Sequence, residues 1–463
     1  MDCNDLQKIW SEKYKIVPEQ LKKTSAIRLV ATGFNTNIDA VAKISGHELS
    51  ALIKHFAISL SDVENCPAVL TSPKAAVCGI VKCFINGIAE EWLTTDQTID
   101  EWIEENIATN KTQMGGQAGI IANVLALTNA QKVLVNTASH PALLSKQFLE
   151  NENLLGVDEN AELKPACQIN RPGDMPPVHR IIEFDKGDEL VLNGKKYVCP
   201  KANRFIATYD LLNAEMKINE AFAKYLSETD FDYFIFAGYN LLSGEKGLNA
   251  AEKSVDFLQK IKGRGGILHL EIASTQDKRI RRYMLEKIAG LCNSIGLNER
   301  ETLDAVEVLF PSLYAELKAK RLNAANLLDA VVKIKEFTKV KRLQLHIFGL
   351  YLCLQDNDYK YTPQQSLNGM LCAAIAAASK AELGGLKEPQ NLLYTAKTNE
   401  SRLYFAELLS LAEHLQLPQL LTTGMAEYKG YNMAVVPTML IENPKTLVGM
   451  GDTISSLSLI CAR

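Results

Sequence analysis

The sequence predicts an α/β protein with two parts, a large domain whose mostly parallel central sheet is flanked by helices and a smaller α+β lid domain. Three observations support this prediction. Short, nearly continuous apolar runs alternate with segments of helical periodicity, as in parallel sheets that are covered on both faces. Between residues 178 and 199 the pattern changes to alternating apolar and polar residues. Polar residues directly follow the apolar runs, where such sheets bind their ligands.

Five apolar runs are predicted to form strands of the large sheet, because each is short and is followed by a turn signal. These runs are residues 26–31, 132–135, 233–237, 267–271 and 345–348. The alternating stretch has turn signals at Lys186-Gly187-Asp188 and at Asn193-Gly194. These turns predict antiparallel hairpins of a second, smaller sheet.

We expect both domains to be discontinuous in sequence, because the smaller sheet is inserted between the parallel units. The large domain is predicted to comprise residues 1–41, 112–162 and 211–463. The lid domain is predicted to comprise residues 42–111 and 163–210.

The composition argues against several classes of function. The 463-residue chain carries a net charge of −4, which gives no basic footprint for nucleic acid. Its ten cysteines are scattered without a Cys-x-x-Cys pair, which favours free thiols in a reducing compartment. No apolar run reaches the roughly 18 residues of a membrane span, and the first residues show no signal-peptide pattern. We therefore expect a cytoplasmic protein without nucleic-acid, membrane or obligate protein partners.

The most informative motif lies near the C-terminus, where Gly449-Met450-Gly451-Asp452 precedes an apolar segment that is predicted to be a helix. Exposed backbone N–H groups at a helix start attract anions, and glycines let a phosphate approach the backbone closely. An aspartate at the same place can accept the proton of an attacking hydroxyl. The motif alone is also compatible with an ordinary helix cap. Its catalytic interpretation therefore depends on the other motifs.

Two further motifs indicate where a sugar would bind. Asn35, Asn37 and Asp39 alternate after the first predicted strand, so they share one side of an extended backbone and suit sugar hydroxyls. A loop of Asx-turns is the alternative. The sequence Gly115-Gly116-Gln117 opens an apolar helix, which would bring N–H groups against a ligand. Here the alternative is a plain junction between a loop and a helix.

Carboxylates and cations complete the set of candidate residues. Glu271 and Glu301 follow predicted strand ends, where they would hold magnesium directly or through water. A single glutamate at a strand end is more often a salt-bridge partner. Arg171, His179 and Arg204 lie in or beside the alternating stretch, and arginine favours bidentate contact with phosphate. Most surface arginines, however, are merely solvated.

Together these motifs resemble those of the archaeal ADP-dependent sugar kinases, the glucokinase and phosphofructokinase group of the ribokinase-like superfamily. The resemblance extends from Phe34-Asn35-Thr36-Asn37-Ile38-Asp39 to the Gly-x-Gly-Asp motif. The His-x-Glu element at residues 269–271 and the Asn-x-x-Glu element at residues 298–301 lie between them in the family's order. The resemblance implies that ADP donates the phosphoryl group, that AMP leaves, and that Mg²⁺ or another divalent cation assists.

The resemblance also implies roles for individual residues. Asp452 is expected to be the base, and the backbone of Gly449, Met450 and Gly451 is expected to form the anion hole. The expected metal-binding residues are Glu271, Glu301 and Asp452. The residues expected to bind the sugar are Asn35, Asn37, Asp39, Glu90, Gly115, Gly116, Gln117, Arg171, His179 and Arg204. The residues expected to bind the nucleotide are Asn298, His346, Ile347, Val436, Pro437 and Val448.

The choice of sugar depends on the lid. In phosphofructokinases of this family lid cations hold the 6-phosphate, and Arg171 and Arg204 match that expectation. In the glucokinases a lid glutamate holds a glucose hydroxyl, and Glu90 lies near the matching place. We therefore expect an ADP-dependent 6-phosphofructokinase that acts on O1 of fructose 6-phosphate in a modified glycolysis. Glucokinase or dual activity is the alternative, and an ATP-using ribokinase-like kinase or a non-catalytic sugar sensor is less favoured.

Overall fold

A large mixed sheet forms the centre of the computed structural model, which describes residues 2–397 and 402–463. The strands in chain order are β1 Val30–Gly33, β2 Asn37–Lys43, β3 Glu90–Leu93, β4 Thr109–Gly115, β5 Val133–Val135, β6 Leu154–Val157, β7 Leu163–Pro165, β8 Val178–Phe184, β9 Glu189–Leu192, β10 Lys195–Val198, β11 Asn203–Tyr209, β12 Tyr233–Phe236, β13 Ile267–Glu271, β14 Ser294–Leu297, β15 Arg342–Ile347, β16 Leu350–Gln355, β17 Arg402–Leu403, β18 Met425–Tyr428, β19 Tyr431–Pro437 and β20 Met439–Leu440.

Helices cover this sheet and part of the smaller one. In chain order they are α1 Cys3–Tyr14, α2 Val17–Lys22, α3 Gly46–His55, α4 Leu60–Glu64, α5 Pro73–Asn86, α6 Gln97–Asn106, α7 Gln117–Ala126, α8 Ala142–Ser145, α9 Leu211–Ala214, α10 Glu220–Glu228, α11 Gly244–Lys262, α12 Lys278–Tyr283, α13 Glu299–Leu309, α14 Pro311–Lys318, α15 Ala324–Thr338, α16 Pro363–Leu383, α17 Tyr394–Lys397, α18 Ala406–Leu415, α19 Leu420–Thr423 and α20 Met450–Ile460.

The large sheet has a parallel centre and antiparallel edges. Within the described residues its eleven strands run in the order β18-β19-β16-β15-β14-β13-β12-β1-β5-β6-β7. Strands β15 to β6 in this order are parallel. Strands β7, β16, β18 and β19 pair antiparallel. The predicted α/β class with a mostly parallel sheet is therefore confirmed.

The smaller sheet is a separate unit with its own core. Its strand order is β3-β11-β8-β2-β4, and β9 and β10 form a two-stranded ribbon beside it. Helices α3 to α6 lie in the same part of the chain. Trp92 packs edge-on against Phe205 in the core, and Phe84 packs against Phe184. A second, smaller sheet is therefore present as predicted. The predicted hairpin at Asn193-Gly194 lies in the ribbon, whereas β8 pairs with β2 and β11 and forms no hairpin with β9.

Three strands do not follow the domain boundaries that the sequence predicts. Strand β4 belongs to the smaller sheet as far as Gly115, although residues from 112 onward are predicted to be large domain. Strand β2 belongs to the smaller sheet from its first residue, because it pairs with β4 and β8 along its whole length. Strand β7 belongs to the large sheet, although residues from 163 onward are predicted to be lid. The Asp158 carboxylate accepts the backbone N–H groups of Asn160 and Glu162, which fixes a tight turn and returns β7 alongside β6.

The long helix α16 and the C-terminal helix α20 pack closely against each other. A Cβ atom on Gly369 of α16 would lie 2.2 Å from the Ser458 carbonyl oxygen of α20. Most of α16 is buried, and its many alanines allow close contact on more than one face. The absence of a side chain at Gly369 thus lets α20 approach the sheet, and α20 carries Asp452.

The remaining composition-based expectations concern thiols and membranes. All ten cysteines lie within the described residues and are free thiols. Among the described helices, none has both the length and the apolar character that a membrane crossing requires.

We predict that Gly369→Ala destabilises the protein by about 1–3 kcal/mol, the usual range for overpacking a tight core contact. The added methyl group meets backbone atoms of α20, which cannot rotate away. Urea denaturation would measure the loss.

Gly263→Ala is the matched control for this experiment. It lies at the end of α11 with a φ of −71° and open space around its Cα, so we expect a change within about 0.5 kcal/mol. Equal stability of the Gly369→Ala and wild-type proteins would show that the contact between α16 and α20 is not tight.

Candidate active site

A cleft between the two sheets contains most of the predicted sugar-binding residues. Its cavity volume is about 800 Å³. The cleft is open between the lid strands β2, β8 and β11 and the segment that leads into α20. The predicted residues that line it are Asn35, Asn37, Asp39, Gly116, Gln117, His179, Arg204 and Val448. The cleft lies at the carboxyl ends of the parallel strands, where the fold is expected to bind ligands.

The turn that is predicted to bind an anion, residues 449–451, starts helix α20 as the sequence indicates. Gly449 has a φ of +63°, and a Cβ atom there would lie 2.7 Å from Ile120 and 2.9 Å from the Lys380 Nζ atom. Both the conformation and the close packing therefore require glycine. Met450 and Gly451 are the first two residues of the helix, so their N–H groups belong to its unpaired first turn.

Asp452 follows in the first turn of α20, and its side chain is buried. Burial raises the pKa of the Asp452 carboxyl, while the charge of Lys380 and a hydrogen bond with Gln117 act in the opposite direction. The carboxylate is therefore a better proton acceptor than an exposed aspartate. Gln117 also lines the cleft, so it connects Asp452 to the space where a sugar would lie.

Glu271, Glu301 and His346 form a group that can hold a divalent cation. Among the described residues, one potential ligand atom from each lies within 4.8 Å of the other two. Glu271 ends β13 and His346 lies near the end of β15, whereas Glu301 is the third residue of α13. The His346 Nε2 atom is 3.5 Å from Glu271 Oε1. Strand order places these residues together, since β14 alone separates β13 from β15.

The electrostatics of this group fit a cation. Burial and the neighbouring Glu301 raise the pKa of Glu271 well above its usual range. Burial also raises the pKa of Glu301 to about 8. A hydrogen bond from the Asn298 backbone N–H lowers this pKa in part, and the charge of Asp452 raises it further. Both nitrogens of His346 are buried, and among the described residues neither has a hydrogen-bond partner. A divalent ion would relieve the mutual repulsion of the carboxylates. Asp452 does not belong to this group of three, although its charge reaches both glutamates.

His269, the first residue of the His-x-Glu element, does not belong to this group of possible metal ligands. It makes hydrogen bonds that connect two strands to α20. Its Nδ1 atom is 2.9 Å from the Ser294 hydroxyl, and its Nε2 atom is 2.8 Å from the Ser455 hydroxyl. Ser455 lies in α20, three residues after Asp452. His269 therefore links β13 and β14 to the helix that carries the proposed base.

The predicted sugar-binding row lies on β2 and the loop before it. The Asn37 amide donates a hydrogen bond of 2.8 Å to Asp39. The Asn35 side-chain oxygen is buried and has no hydrogen-bond partner in the part of the chain that the structure describes. A Cβ atom on Gly115 would lie 2.1 Å from Asp39, and one on Gly116 would lie 2.7 Å from Asn37. The two glycines thus leave room for the side chains of Asn37 and Asp39. The sequence predicts only that their backbone lies close to a ligand.

The lid side of the cleft carries a charged network around His179. The His179 Nε2 atom is 3.1 Å from Asp210, and its Nδ1 atom is 3.7 Å from Glu91. Burial alone would lower the pKa of His179, but the hydrogen bond and charge of Asp210, with the charges of Glu91 and Asp39, raise it to about 9. His179 is therefore protonated at neutral pH.

Asp210 also connects this network to the crossing between the domains. The Asn213 amide donates to Asp210 at 2.6 Å and to the Thr36 carbonyl oxygen at 2.9 Å. Thr36 directly precedes β2, and Asp210 directly follows β11. The polar contacts of the smaller sheet thus continue into two segments that connect it to the large domain.

Three predicted sugar-binding residues do not line the cleft, namely Glu90, Gly115 and Arg171, and of these Gly115 packs directly against Asp39 and Asn37. The Glu90 carboxylate accepts hydrogen bonds from Lys82 and Trp92 inside the lid, whereas the next residue, Glu91, lines the cleft. Alternation along β3 puts neighbouring side chains on opposite faces, so a shift of one residue changes which glutamate reaches the site. Arg171 forms an ion pair with Asp174 and lines a second cavity. Arg204 lines the cleft itself, and its buried Nε atom has no hydrogen-bond partner within residues 2–397 and 402–463.

The predicted nucleotide-binding residues do not lie together, and one of them, Val448, lines the cleft. Ile347 lies at the end of β15, where its partner in β16 is Leu350, and Pro437 of β19 pairs with that same residue. Val436 is fully buried beside Pro437, so its side chain belongs to the core. Asn298 caps helix α13. The His346 ring points to the two glutamates instead of joining Ile347, because alternate residues of β15 face opposite sides of the sheet.

Comparison with known proteins agrees with this geometry. The conserved region described as ADP-specific Phosphofructokinase/Glucokinase matches residues 28–461. The chain belongs to this family. It is 28% identical to the ADP-dependent glucose/glucosamine kinase of Pyrococcus furiosus, over 97% of this chain and 98% of that one. It is 26% identical to the ADP-specific phosphofructokinase of Pyrococcus abyssi, over 93% and 96% of the two chains.

A solved structure supports the same assignment. The structure described as an ADP-dependent kinase complex with fructose-6-phosphate and ADPβS has a TM-score of 0.82 and 26% sequence identity. The match covers 100% of this chain and 98% of that chain. The predicted membership in the ADP-specific phosphofructokinase/glucokinase family is therefore confirmed.

The motifs in the sequence do not predict two residues that lie at or near the site, Glu91 and Lys380. Glu91 was missed because two adjacent glutamates leave the facing residue undefined without the strand register. Lys380 lies in an alanine-rich helix far from any motif, and contacts α20 only through the fold. A single lysine within a helix that is otherwise suited to the core was the available signal.

We predict that the stabilising effect of His179 depends on pH. The pKa of about 9 in the folded protein exceeds the ordinary value of 6.5, so the folded state retains a proton that the unfolded chain loses. The stabilisation is complete below pH 6.5 and is lost as the pH rises through 9, and it amounts to at most about 3 kcal/mol. Urea denaturation of wild type and His179→Gln between pH 6 and 9.5 should show a difference that shrinks with pH.

Asp210→Asn provides the matched control, because it removes the charge that favours protonated His179. This variant should lose most of the same pH dependence. A stability difference between wild type and His179→Gln that stays constant over the whole range would contradict the interpretation.

Proposed function

We propose that this chain is an ADP-dependent 6-phosphofructokinase, which transfers the β-phosphoryl group of ADP to O1 of fructose 6-phosphate. The products would be fructose 1,6-bisphosphate and AMP. The observation that carries the proposal is the buried Asp452 beside the anion-binding turn, connected through Gln117 to a cleft that contains Arg204. The family membership supports the donor and the reaction class.

Each part of the site has a defined task in the proposed reaction. Asp452 takes the proton of the sugar O1 hydroxyl as the bond between O1 and the β-phosphorus forms. The bond from the β-phosphorus to the bridging oxygen breaks, and that oxygen leaves with AMP. The N–H groups of residues 449–451 face the charge on the transferred group, and a preorganised donor set of this kind costs no reorganisation during the step.

We propose that Mg²⁺ or another divalent cation is held by Glu271 and Glu301, with Asp452 and His346 nearby. Carboxylate oxygens are the preferred ligands of magnesium, whereas an imidazole is a better ligand for transition metals. When bound, such an ion would neutralise charge on the phosphate oxygens. The residues of this chain would keep it between the sheet and the turn.

We further propose positions for the two substrates. Asn35, Asn37, Asp39 and the backbone of residues 115–116 would hold the sugar hydroxyls, and Arg204 with His179 would hold the 6-phosphate from the lid. The adenine would lie near Ile347 and Pro437, with Val448 at the edge of the cleft. We propose that the reaction serves a modified glycolysis in the cytoplasm.

Glucose is the second candidate acceptor, because the lid presents a carboxylate to the cleft. Glu91 lines the cavity, and the hydroxyl of Thr208 donates a hydrogen bond of 2.7 Å to it. A carboxylate can accept hydrogen bonds from a neutral sugar but repels a phosphate. We therefore propose that Glu91 supports glucose phosphorylation while Arg204 supports that of fructose 6-phosphate.

We predict that Asp452→Asn lowers kcat by about 100-fold or more, the scale of a lost general base. A coupled assay with magnesium would cross ADP and ATP with fructose 6-phosphate and glucose, and AMP release would identify the donor. Asp329→Asn on the exposed face of α15 is the control. Near-normal turnover of Asp452→Asn would contradict the role of the base, and turnover with ATP alone would contradict the donor.

We predict opposite effects of two lid variants on the two sugars. Arg204→Ala should raise the KM for fructose 6-phosphate by roughly 10- to 150-fold, the value of a charged hydrogen bond, with a much smaller effect for glucose. Glu91→Gln should raise the KM for glucose more than that for fructose 6-phosphate. Exposed Arg264→Ala is the control for loss of an arginine. An equal loss for both sugars in either lid variant would indicate a structural role instead.

A further inference from the structure

A buried lysine lies directly behind the anion-binding turn. Lys380 is on α16, and its side chain reaches α20 with only 8% of the residue exposed. Its Nζ atom donates a hydrogen bond of 2.9 Å to the Gly449 carbonyl oxygen and one of 3.0 Å to the Thr453 hydroxyl. Lys380 thus holds both residues that flank the first turn of α20.

The Gly449 carbonyl oxygen is the centre of this arrangement. Besides Lys380, it accepts a hydrogen bond of 2.8 Å from the Thr453 hydroxyl and one of 3.2 Å from the Thr453 backbone N–H. Gly449 has the left-handed conformation that turns the chain into α20. Three donors on one carbonyl oxygen therefore fix the orientation of the peptide from which the helix starts.

The charge of Lys380 has no counterion at short range. Within residues 2–397 and 402–463, Lys380 makes no ion pair with a carboxylate. Burial lowers its pKa to about 8, while Asp452 favours the charged form. A buried ammonium without a counterion destabilises a fold, so packing alone does not explain a lysine at this position.

We propose that Lys380 is a positioning residue for phosphoryl transfer, which fixes the turn at residues 449–451 and places a positive charge behind its N–H groups. This inference rests on the proposed function. The N–H groups face the transferred phosphoryl group on one side, and the ammonium group adds to their positive potential from the other side. Glu271 lies on β13 and Glu301 on α13, whereas Lys380 lies on α16. The proposed contribution of Lys380 is therefore separate from that of the two carboxylates that would hold the metal ion.

This role has a signature that a structural role lacks. ADP carries the β-phosphoryl group that would face the turn, and AMP does not. We expect Lys380→Met, which keeps the size of the side chain and removes its charge, to weaken ADP binding roughly 10-fold. AMP binding should change less than about twofold, since AMP makes none of the contacts in question.

The first experiment measures both nucleotides by isothermal titration calorimetry and both kinetic constants by the coupled assay. For Lys380→Met we expect kcat to fall roughly 100-fold, the scale of a lost electrostatic donor, with the KM for the sugar nearly unchanged. Lys335→Met is the matched control. Lys335 is also buried, but it pairs with Asp356 and stacks on Tyr431 away from the cleft. This control should lose stability and keep its kcat.

Chemical rescue provides the second experiment. Lys380→Ala leaves room for a small amine, so ethylammonium should raise kcat in proportion to its concentration, whereas tetramethylammonium, which cannot donate a hydrogen bond, should not. Rescue by ethylammonium would support the role even if Lys380→Met folded poorly. Absence of rescue together with equal losses of ADP and AMP binding would overturn it.

The outcomes also separate this inference from the proposed function. An active wild type with a fully active Lys380→Met variant would overturn the role of Lys380 and leave the kinase assignment intact. A wild type without ADP-dependent turnover would overturn both.

Discussion

The close packing of α20 against the sheet and against α16 is the constraint on which the site depends. A Cβ atom on Gly296 of β14 would lie 2.3 Å from Ser455, and one on Gly369 of α16 would lie 2.2 Å from Ser458. Small residues on two sides of α20 therefore fix where the helix begins. That position brings Asp452 within electrostatic range of Glu271, since both groups are buried at the same edge of the sheet.

The site concentrates ionisable groups in a region with little water. Glu271, Glu301 and Asp452 each have a raised pKa because burial disfavours their charge, and Lys380 has a lowered pKa for the same reason. Such an arrangement is unfavourable for the free protein but complementary to a cation and a phosphate. Bound charged ligands would pair with these buried groups, which lack contact with solvent. The complex would thus regain the stability that the buried charges cost the free protein.

Much of the fold and of the site follows from the sequence, and the exceptions have physical causes. The strand over residues 267–271 is predicted to the residue, because a mostly apolar run ends there in a charged side chain. The Gly-x-Gly-Asp turn is local, so its position at the start of a helix is predictable. Glu90 and Glu91 cannot be distinguished without the register of β3 with β11. Lys380 and Gly449 are 69 residues apart in sequence, and they meet only because α16 packs against α20.

The discontinuous lid has a consequence for the synthesis of the chain. Strand β2 leaves the ribosome early, but its neighbour β8 begins at Val178 and the last strand of the smaller sheet ends at Tyr209. Strand β1 likewise waits for β12, which begins at Tyr233. Strand β1 can pair with β5 earlier, but about half of the chain must emerge before the smaller sheet is complete and β1 has both of its neighbours. Strand edges stay exposed during that time. Exposed strand edges favour aggregation, so nascent chains of this topology reach the folded state only if aggregation is slow or chaperones protect them.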